Sequence, residues 1–392
     1  MSDPLVIGLV AGESSGDTLG AALLEALRAR VGKVEAFGIA GPRMRAAGCE
    51  VWADSHELAV MGLVEPLVHL PRLFALRRRL VRDMARRRPQ VFVGIDAPAF
   101  NIGLEAKLRA QDIPTVQYVS PQVWAWRQGR VRSIAAACDL VLCLFPFETQ
   151  FYSEHGVRAQ FVGHPLADQI PLETDRALAR TALGLAPQAT VIALLPGSRL
   201  GEVRRLGADF LRAAAWLQAQ RPDLTFIAPM ASQRVREVFA AQHARVAPGL
   251  AVQLFDGQAQ QLLIAADVVL VASGTATLET LLTRRPMVVA YRFSALTAFL
   301  LRRLGLVKVS HFSQPNLLTG KPLVPEFLQE QVNGPALGQA LLKQLTDGAG
   351  QHVLQDEFLK VHRQLRVGAA DRAAQAILEL LNARRVDRAR PR

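Results

Sequence analysis

The sequence predicts an α/β protein made of two Rossmann-like domains, with parallel sheets whose strand ends face across a cleft. Three observations lead there. Short apolar runs without strict alternation recur along the chain, as in strands covered on both faces, and helix-length amphipathic stretches separate them. The pattern restarts: "VIGLVAGESSGD" from Val6 and "VIALLPGSRLGE" from Val191 each read as strand, glycine turn, helix start. Finally, 392 residues exceed what one ordinary core holds.

Taken in order, the first domain draws its strands from "PLVIGLVAG", "VEAFGIAG", "QVFVGIDAP", "PTVQYVS" and "DLVLCLF". The second draws them from "TVIALLPGS", "LTFIAPM", "VQLFDG", "DVVLVASG" and "MVVAYRF". The join falls near "GHPLADQIP", where His164 reads as a hydrogen-bonding linker residue, not a catalyst. The expected partition is 1–165, 166–350, and a helical segment 351–392 with a basic end, packing back on the first domain or on a partner.

The net charge is +12 and it is concentrated. Residues 71–90 carry eight arginines and one aspartate, and 384–392 carry five arginines and one aspartate. Such patches attract phosphate, nucleic acid or anionic lipid. Cys49, Cys138 and Cys143 are odd in number and lack CxxC spacing, which argues against disulfides and zinc and for a reducing compartment. The N-terminal residues lack signal-peptide features, and no apolar run approaches the roughly 20 residues of a membrane span.

Polar residues gather where strands end. "AGESSGD" (11–17) is neither GxGxxG nor a P-loop. Gly12 and Gly16 permit a tight turn, and Ser14, Ser15 and a helix N-terminus can hold a hydroxyl or phosphate, although a capped turn with Asp17 opposing the helix dipole explains the same residues. "VFVGIDAPAFN" puts Asp96 at a strand's carboxyl end, where apolar surroundings can raise its pKa enough for proton acceptance. In the second domain Gly197, Ser198 and Arg199 offer a guanidinium beside free backbone N–H groups, which suits a pyrophosphate. Ser273, Gly274, Thr275 and Thr277 form another such turn, and Glu279 can accept from two ribose hydroxyls. "SQPNLL" supplies Asn316 on a loop expected to face the cleft, while Trp124, Trp126, Arg127 and Arg130 read as a turn packed on tryptophan. With no DxD pair, no metal is expected; helix termini and arginine would neutralise a leaving diphosphate.

At "AGESSGD", "ELAVMGLVE", "GIDAPAFN", "YVSPQVWAWR", "FVGHPLAD", "LLPGSR", "ASGTATLE" and "QPNLL" the chain closely resembles the lipid-A-disaccharide synthase family, in order and over most of its length. The resemblance implies a GT-B fold (glycosyltransferase family 19) and an inverting, metal-free glycosyltransferase without a cofactor. It implies UDP-2,3-diacylglucosamine as donor and 2,3-diacylglucosamine 1-phosphate, lipid X, as acceptor. The product would be the β-1,6 disaccharide 1-phosphate of lipid A, with UDP leaving. It also implies a Gram-negative cytoplasmic enzyme, peripheral on the inner membrane, and a homodimer through C-terminal helices. The family's polar site residues match Glu13, Ser15, Asp96, Arg199, Glu279 and Asn316. Asp96 or Glu13 would be the base; Arg199 with Ser273, Gly274 and Thr275 would hold the diphosphate, and Glu279 the ribose. Ser15 and Asn316 would position sugar or acceptor phosphate.

The stretch "LVEPLVHLPRLFALRRRLVRDMARRRP" (63–89) sets apolar residues beside arginines. Pro66 and Pro71 argue against one continuous helix, with Pro71 starting one whose Leu73, Leu76, Leu80 and Met84 face the core. Val64, Leu67, Val68, Leu73 and Phe74 are candidates to gather acyl chains, and Arg72, Arg77, Arg78, Arg79 and Arg82 to dock on lipid phosphates. A different UDP-sugar enzyme, such as a UDP-GlcNAc 2-epimerase or a soluble-acceptor transferase, would keep the second-domain motifs but not need this patch. A nucleic-acid binder is disfavoured, because the arginines cluster where apolar residues are densest and no basic–aromatic sheet motif occurs.

Overall fold

The computed structural model describes residues 3–59, 66–124, 128–294 and 311–389, without the side chains of 59, 66–70, 128 and 387–389. It divides into two compact units, Met1–Asp168 with Leu365–Arg392, and Gln169–Gln364.

Among its described residues the first unit holds seven strands: β1 Leu5–Ala11, β2 Val34–Ala40, β3 Cys49–Asp54, β4 Val91–Ile95, β5 Thr115–Tyr118, β6 Leu140–Cys143 and β7 Ala159–Phe161. All pair in parallel, in the order β3-β2-β1-β4-β5-β6-β7. The second unit holds β8 Thr190–Leu195, β9 Leu224–Met230, β10 Val252–Asp256, β11 Val268–Ala272, β12 Met287–Tyr291 and β13 Glu326–Leu328, parallel in the order β10-β9-β8-β11-β12-β13. All ten strands read from apolar runs are present. The three missed ones, β3, β7 and β13, are sheet-edge strands with mostly half-buried residues, so their sequences lack a continuous apolar signal.

Alternation along the central strands builds two core layers in the first unit. Ile7, Leu9, Val93 and Ile95 pack with Leu23 and Leu27 of helix Ser14–Val31 and with Ala373 and Ile377 of helix Ala369–Ala389. Val10 and Phe92 meet the other layer, Leu73, Leu76, Leu80 and Met84 of helix Pro66–Arg87 and Phe100 and Leu104 of helix Pro98–Arg109. Helix 66–87 is continuous, contrary to the expected break, and Pro71 sits inside its second turn. Pro71 removes one backbone bond there. Burial of the four stripe residues, about 1.5–3 kcal/mol for a fully buried side chain, offsets the loss.

The C-terminal segment 351–392, expected as one piece, is shared between the units. Helix Gly348–Leu365 groups with the second unit, where Gln351 donates to the Gln344 carbonyl (2.6 Å) and Glu357 pairs with Lys321 (3.4 Å). Helix 369–389 returns to the first, where Asp168 accepts from the N–H groups of Gly368 (2.9 Å) and Ala369 (2.6 Å). In the basic tail, Arg384 is committed within the fold to Asp139 (2.8 Å) and Asp112 (3.5 Å). No described helix is long and apolar enough to cross a membrane.

Candidate active site

In each sheet the strand order reverses once at the centre, between β1 and β4 and between β8 and β11. Loops leaving the carboxyl ends of such a pair diverge to opposite faces and open a crevice, the usual ligand position in open α/β sheets. The four turns singled out in the sequence follow these four strands: "GES" follows β1, "DAP" β4, "PGSR" β8 and "SGT" β11.

In the first unit, Ala11 pairs with Ile95, so Gly12 and Asp96 begin adjacent turns. Glu13 is the N-cap of helix 14–31; it and Ser15 are exposed, and Glu13 makes no capping bond. Asp17 lies in the first turn of helix 14–31, as expected, and has a second role. It is buried, and its carboxylate accepts from the N–H groups of Gly41 (2.8 Å), Arg43 (2.8 Å) and Met44 (3.0 Å), capping the short helix Pro42–Ala46 rather than its own.

Asp96 and Ala97 both lie in the left-handed region, φ 54° and 43°. Non-glycine residues there cost on the order of 1–3 kcal/mol each and need surrounding support. Asn101 and Gln117, both buried, provide it by donating side-chain N–H groups to the Asp96 carbonyl at 2.8 and 3.2 Å. Asp96 stands at the first position after the β4 strand end and is part-buried. Burial raises its pKa, partly countered by the Ala97 N–H.

In the second unit Arg199 is exposed and is the N-cap of helix Leu200–Gln220. The backbone N–H groups beside it are not free, as expected, but occupied: Ser198 and Arg199 donate to the Glu202 carboxylate at 3.1 and 3.3 Å. Glu202 is therefore an internal anion at this helix start, while Arg199 is exposed. Ser273 donates to the Phe312 carbonyl (3.2 Å), Thr277 to the Gly274 carbonyl (2.8 Å), and Gly274, at φ 154°, and Thr275 stay exposed at the start of helix Thr275–Leu282. Glu279 is part-buried, burial raises its pKa, and no described side chain donates to it.

Asn316 is not presented to a ligand. It is buried in helix Gln314–Thr319, and its amide both donates to and accepts from Val324, each at 2.9 Å. The loop before it is held by Glu326, which accepts from Phe312 and Ser313 (3.2 and 2.7 Å). The sequence carries no signal for Glu326, whereas Glu202, at the third position after the cap, matches a capping pattern.

The apolar and basic stretch separates into different jobs. Leu73 belongs to the core rather than to an acyl surface, whereas Phe74 is 51% exposed. Val64 lies outside the described residues, as do the side chains of Leu67 and Val68. Arg77 is held within the fold, donating to the Ala99 carbonyl (3.1 Å) and lying over Phe100, with burial lowering its pKa. Arg72 pairs with Glu57 (2.8 Å) and Arg79 with Asp83 (3.5 Å). Arg78 and Arg82 are exposed and unpaired among the described residues. Trp124 packs edge-on against Phe147, Trp126 and Arg127 lie outside the described residues, and His164 is buried, its pKa lowered to about 4 by desolvation.

A family model described as lipid-A-disaccharide synthetase matches residues 7–377. The lipid-A-disaccharide synthase of Salmonella paratyphi A is 50% identical over 377 residues, covering 96% of this chain and 98% of that protein. The enzyme of the same name from Escherichia coli strain SE11 is 49% identical over the same shares. Among solved structures, the glycosyltransferase of kitacinnamycin aligns at TM-score 0.64 and 19% identity, covering 97% of this chain and 100% of that one. A UDP-N-acetylglucosamine 2-epimerase from Listeria monocytogenes aligns at 0.64 and 12%, covering 99% of each. The fold is GT-B.

Proposed function

Since this chain belongs to the lipid-A-disaccharide synthetase family and is a glycosyltransferase that forms a lipid A disaccharide, we propose that it joins UDP-2,3-diacylglucosamine to lipid X with inversion. Asp96 takes the proton of the acceptor 6-hydroxyl. O6 forms a β-1,6 bond to the donor C1, the bond from C1 to the diphosphate oxygen breaks, and UDP leaves with the electron pair. The observation that carries this reading is the strained turn at the β1/β4 crevice, which bears a carboxyl with a burial-raised pKa. A base closer to neutral pH is the better acceptor for a proton released during the reaction.

Glu13, exposed on the adjacent turn, is the alternative base, and Ser15 one residue into the helix positions the acceptor. Arg199 and the Ser273–Thr275 turn bind the diphosphate, and Glu279 binds the ribose hydroxyls. Charge on the leaving group is met by a guanidinium and a helix start, so we propose catalysis without metal or cofactor. Phe74 with Arg78 and Arg82 is proposed to meet the anionic inner face of the inner membrane.

The test is incubation of purified protein with the UDP-diacyl donor and detergent-dispersed lipid X in the presence of a chelator, read by mass spectrometry. Disaccharide phosphate together with UDP is expected. Product from a soluble acceptor but not from lipid X, or loss of product on chelation, overturns the corresponding part.

A further inference from the structure

Behind the Asp96 turn lies a sealed polar cluster that the proposed mechanism does not use. Asn101 and Gln117 hold the Asp96 carbonyl, and neither amide can be turned around. Asn101 Nδ2 also faces the Val10 carbonyl (3.3 Å), and Gln117 Nε2 also faces those of Tyr118 (3.4 Å) and Val119 (3.2 Å). Reversal would set oxygen against carbonyl oxygens. Asn101 Oδ1 and Gln117 Oε1 therefore point away, and both are buried acceptors without a donor among the described residues.

Glu105, one helical turn after Asn101, is fully buried. Its Oε2 accepts from Cys138 Sγ (3.1 Å), while Oε1 is a third buried acceptor without a donor. Gly94 shows how closely Glu105 and Asn101 are gathered: a Cβ there would stand 2.3 Å from Glu105 Oε1 and 3.0 Å from Asn101 Cγ. An ionised carboxylate among orphaned acceptors is the costliest arrangement available to the cluster. One proton on Glu105 converts an acceptor into a donor and relieves it.

We propose that Glu105, as the neutral acid, is a positioning residue for the reaction: its O–H is offered to the Asn101 amide oxygen, fixing an amide that holds the Asp96 turn, and its ionisation loosens that turn. This rests on Asp96 being the base. Burial independently pushes the Glu105 pKa up to about 8. The charged and titratable groups on the packed elements are Arg77 of helix 66–87, Cys138 and Asp139 after helix Val131–Ala137, Arg109 paired with Asp139 (3.1 Å), and Asp96 itself. The Cys138 thiol is pushed far up by burial and by Glu105, which leaves Glu105 as the member of the cluster that titrates just above neutrality.

The experiment is the pH profile of kcat for wild type, Glu105→Gln and Asp96→Asn, with a melting curve at each pH. Wild-type kcat should fall above about pH 8, approaching tenfold per pH unit, while the protein stays folded. Glu105→Gln keeps a donor toward the Asn101 amide oxygen and cannot ionise, so its alkaline fall should flatten to less than about twofold between pH 8 and 9. Glu105→Ala should lose about tenfold or more in kcat at pH 7 with KM for donor unchanged; if it does not fold, the Gln variant decides. An alkaline fall in Glu105→Gln superimposable on wild type overturns the proposal. Full activity in Asp96→Asn would instead overturn the assignment of the base.

Discussion

Gly12 and Ala97 stand so close that a Cβ on Gly12 would lie 2.3 Å from the Ala97 Cβ. This contact joins the turn bearing Glu13 to the turn bearing Asp96, and Ala97 is itself in a left-handed conformation that gives it little freedom to retreat. Gly12→Ala should therefore act on catalysis more than on folding. Overpacking costs about 1–3 kcal/mol, a modest fall in melting temperature, while displacement of the Asp96 carboxyl should lower kcat by roughly 100-fold. Steady-state kinetics beside a thermal melt checks this; a kcat within twofold of wild type would show that the two turns are not coupled.

The second-unit residues should separate by the part of the donor each binds. Arg199→Ala should weaken UDP and inorganic pyrophosphate alike, by about 1.5–3 kcal/mol for a lost charge-assisted bond. Glu279→Ala should weaken UDP and leave pyrophosphate unchanged, since the ribose is what its part-buried carboxylate is proposed to hold. Calorimetry with both ligands distinguishes them, and equal loss of both ligands in Glu279→Ala would remove that assignment.

Adjacent residues on one helix should give opposite phenotypes. Leu73 is core and Phe74 is 51% exposed. Leu73→Ala should cost about 2–5 kcal/mol of stability with little change in membrane affinity per folded molecule. Phe74→Ser with Arg78→Glu and Arg82→Glu should leave the melting temperature nearly unchanged and weaken binding to anionic vesicles, with about 1 kcal/mol lost per basic residue. Vesicle sedimentation at fixed ionic strength measures this, and unaltered binding by the triple variant would place the docking surface elsewhere.

Glu148 makes stability depend on pH. It is buried, accepts from the Phe145 N–H (3.0 Å), and desolvation raises its pKa from 4.5 to about 7. The folded state thus binds this proton more tightly than the unfolded chain. The stabilisation is complete below about pH 4.5 and is lost as pH rises to about 7, with a slope of at most about 1.4 kcal/mol per pH unit. Glu105 extends the same trend toward pH 8. Denaturant melts across this window should show a shallower decline for Glu148→Gln than for wild type; parallel curves would mean that Glu148 ionises freely in the native protein.

Much of the candidate site was legible because it depends on strand ends. Apolar runs mark where strands stop, and Asp96, Arg199, Ser273 and Glu279 were singled out by position and chemical type and Glu13 by the family resemblance, all after strands flanking a switch point. Asn316 and Asp17 were found as polar residues near turns, but their partners, Val324 and the 41–44 amides, lie elsewhere in the chain, so their structural work was not visible. Pro71 misled because a local rule about helix interiors was overridden by burial of the stripe around it. Glu105 gave no signal at all: a single acid on a helix looks solvated until the strands that bury it are in place.

By itself the sequence determined the twofold α/β plan, the central strands, the candidate turns at their ends and the family, since these follow from local periodicity and contiguous motifs. Only the tertiary structure decided which polar residues stay exposed at the strand ends and which are struts, that Glu202 occupies the amides at Ser198 and Arg199, and that Leu73 is core while Phe74 is surface. Burial and hydrogen-bond partnership are set by residues distant in sequence, and they determine whether a carboxylate or an amide supports the fold or remains available for chemistry.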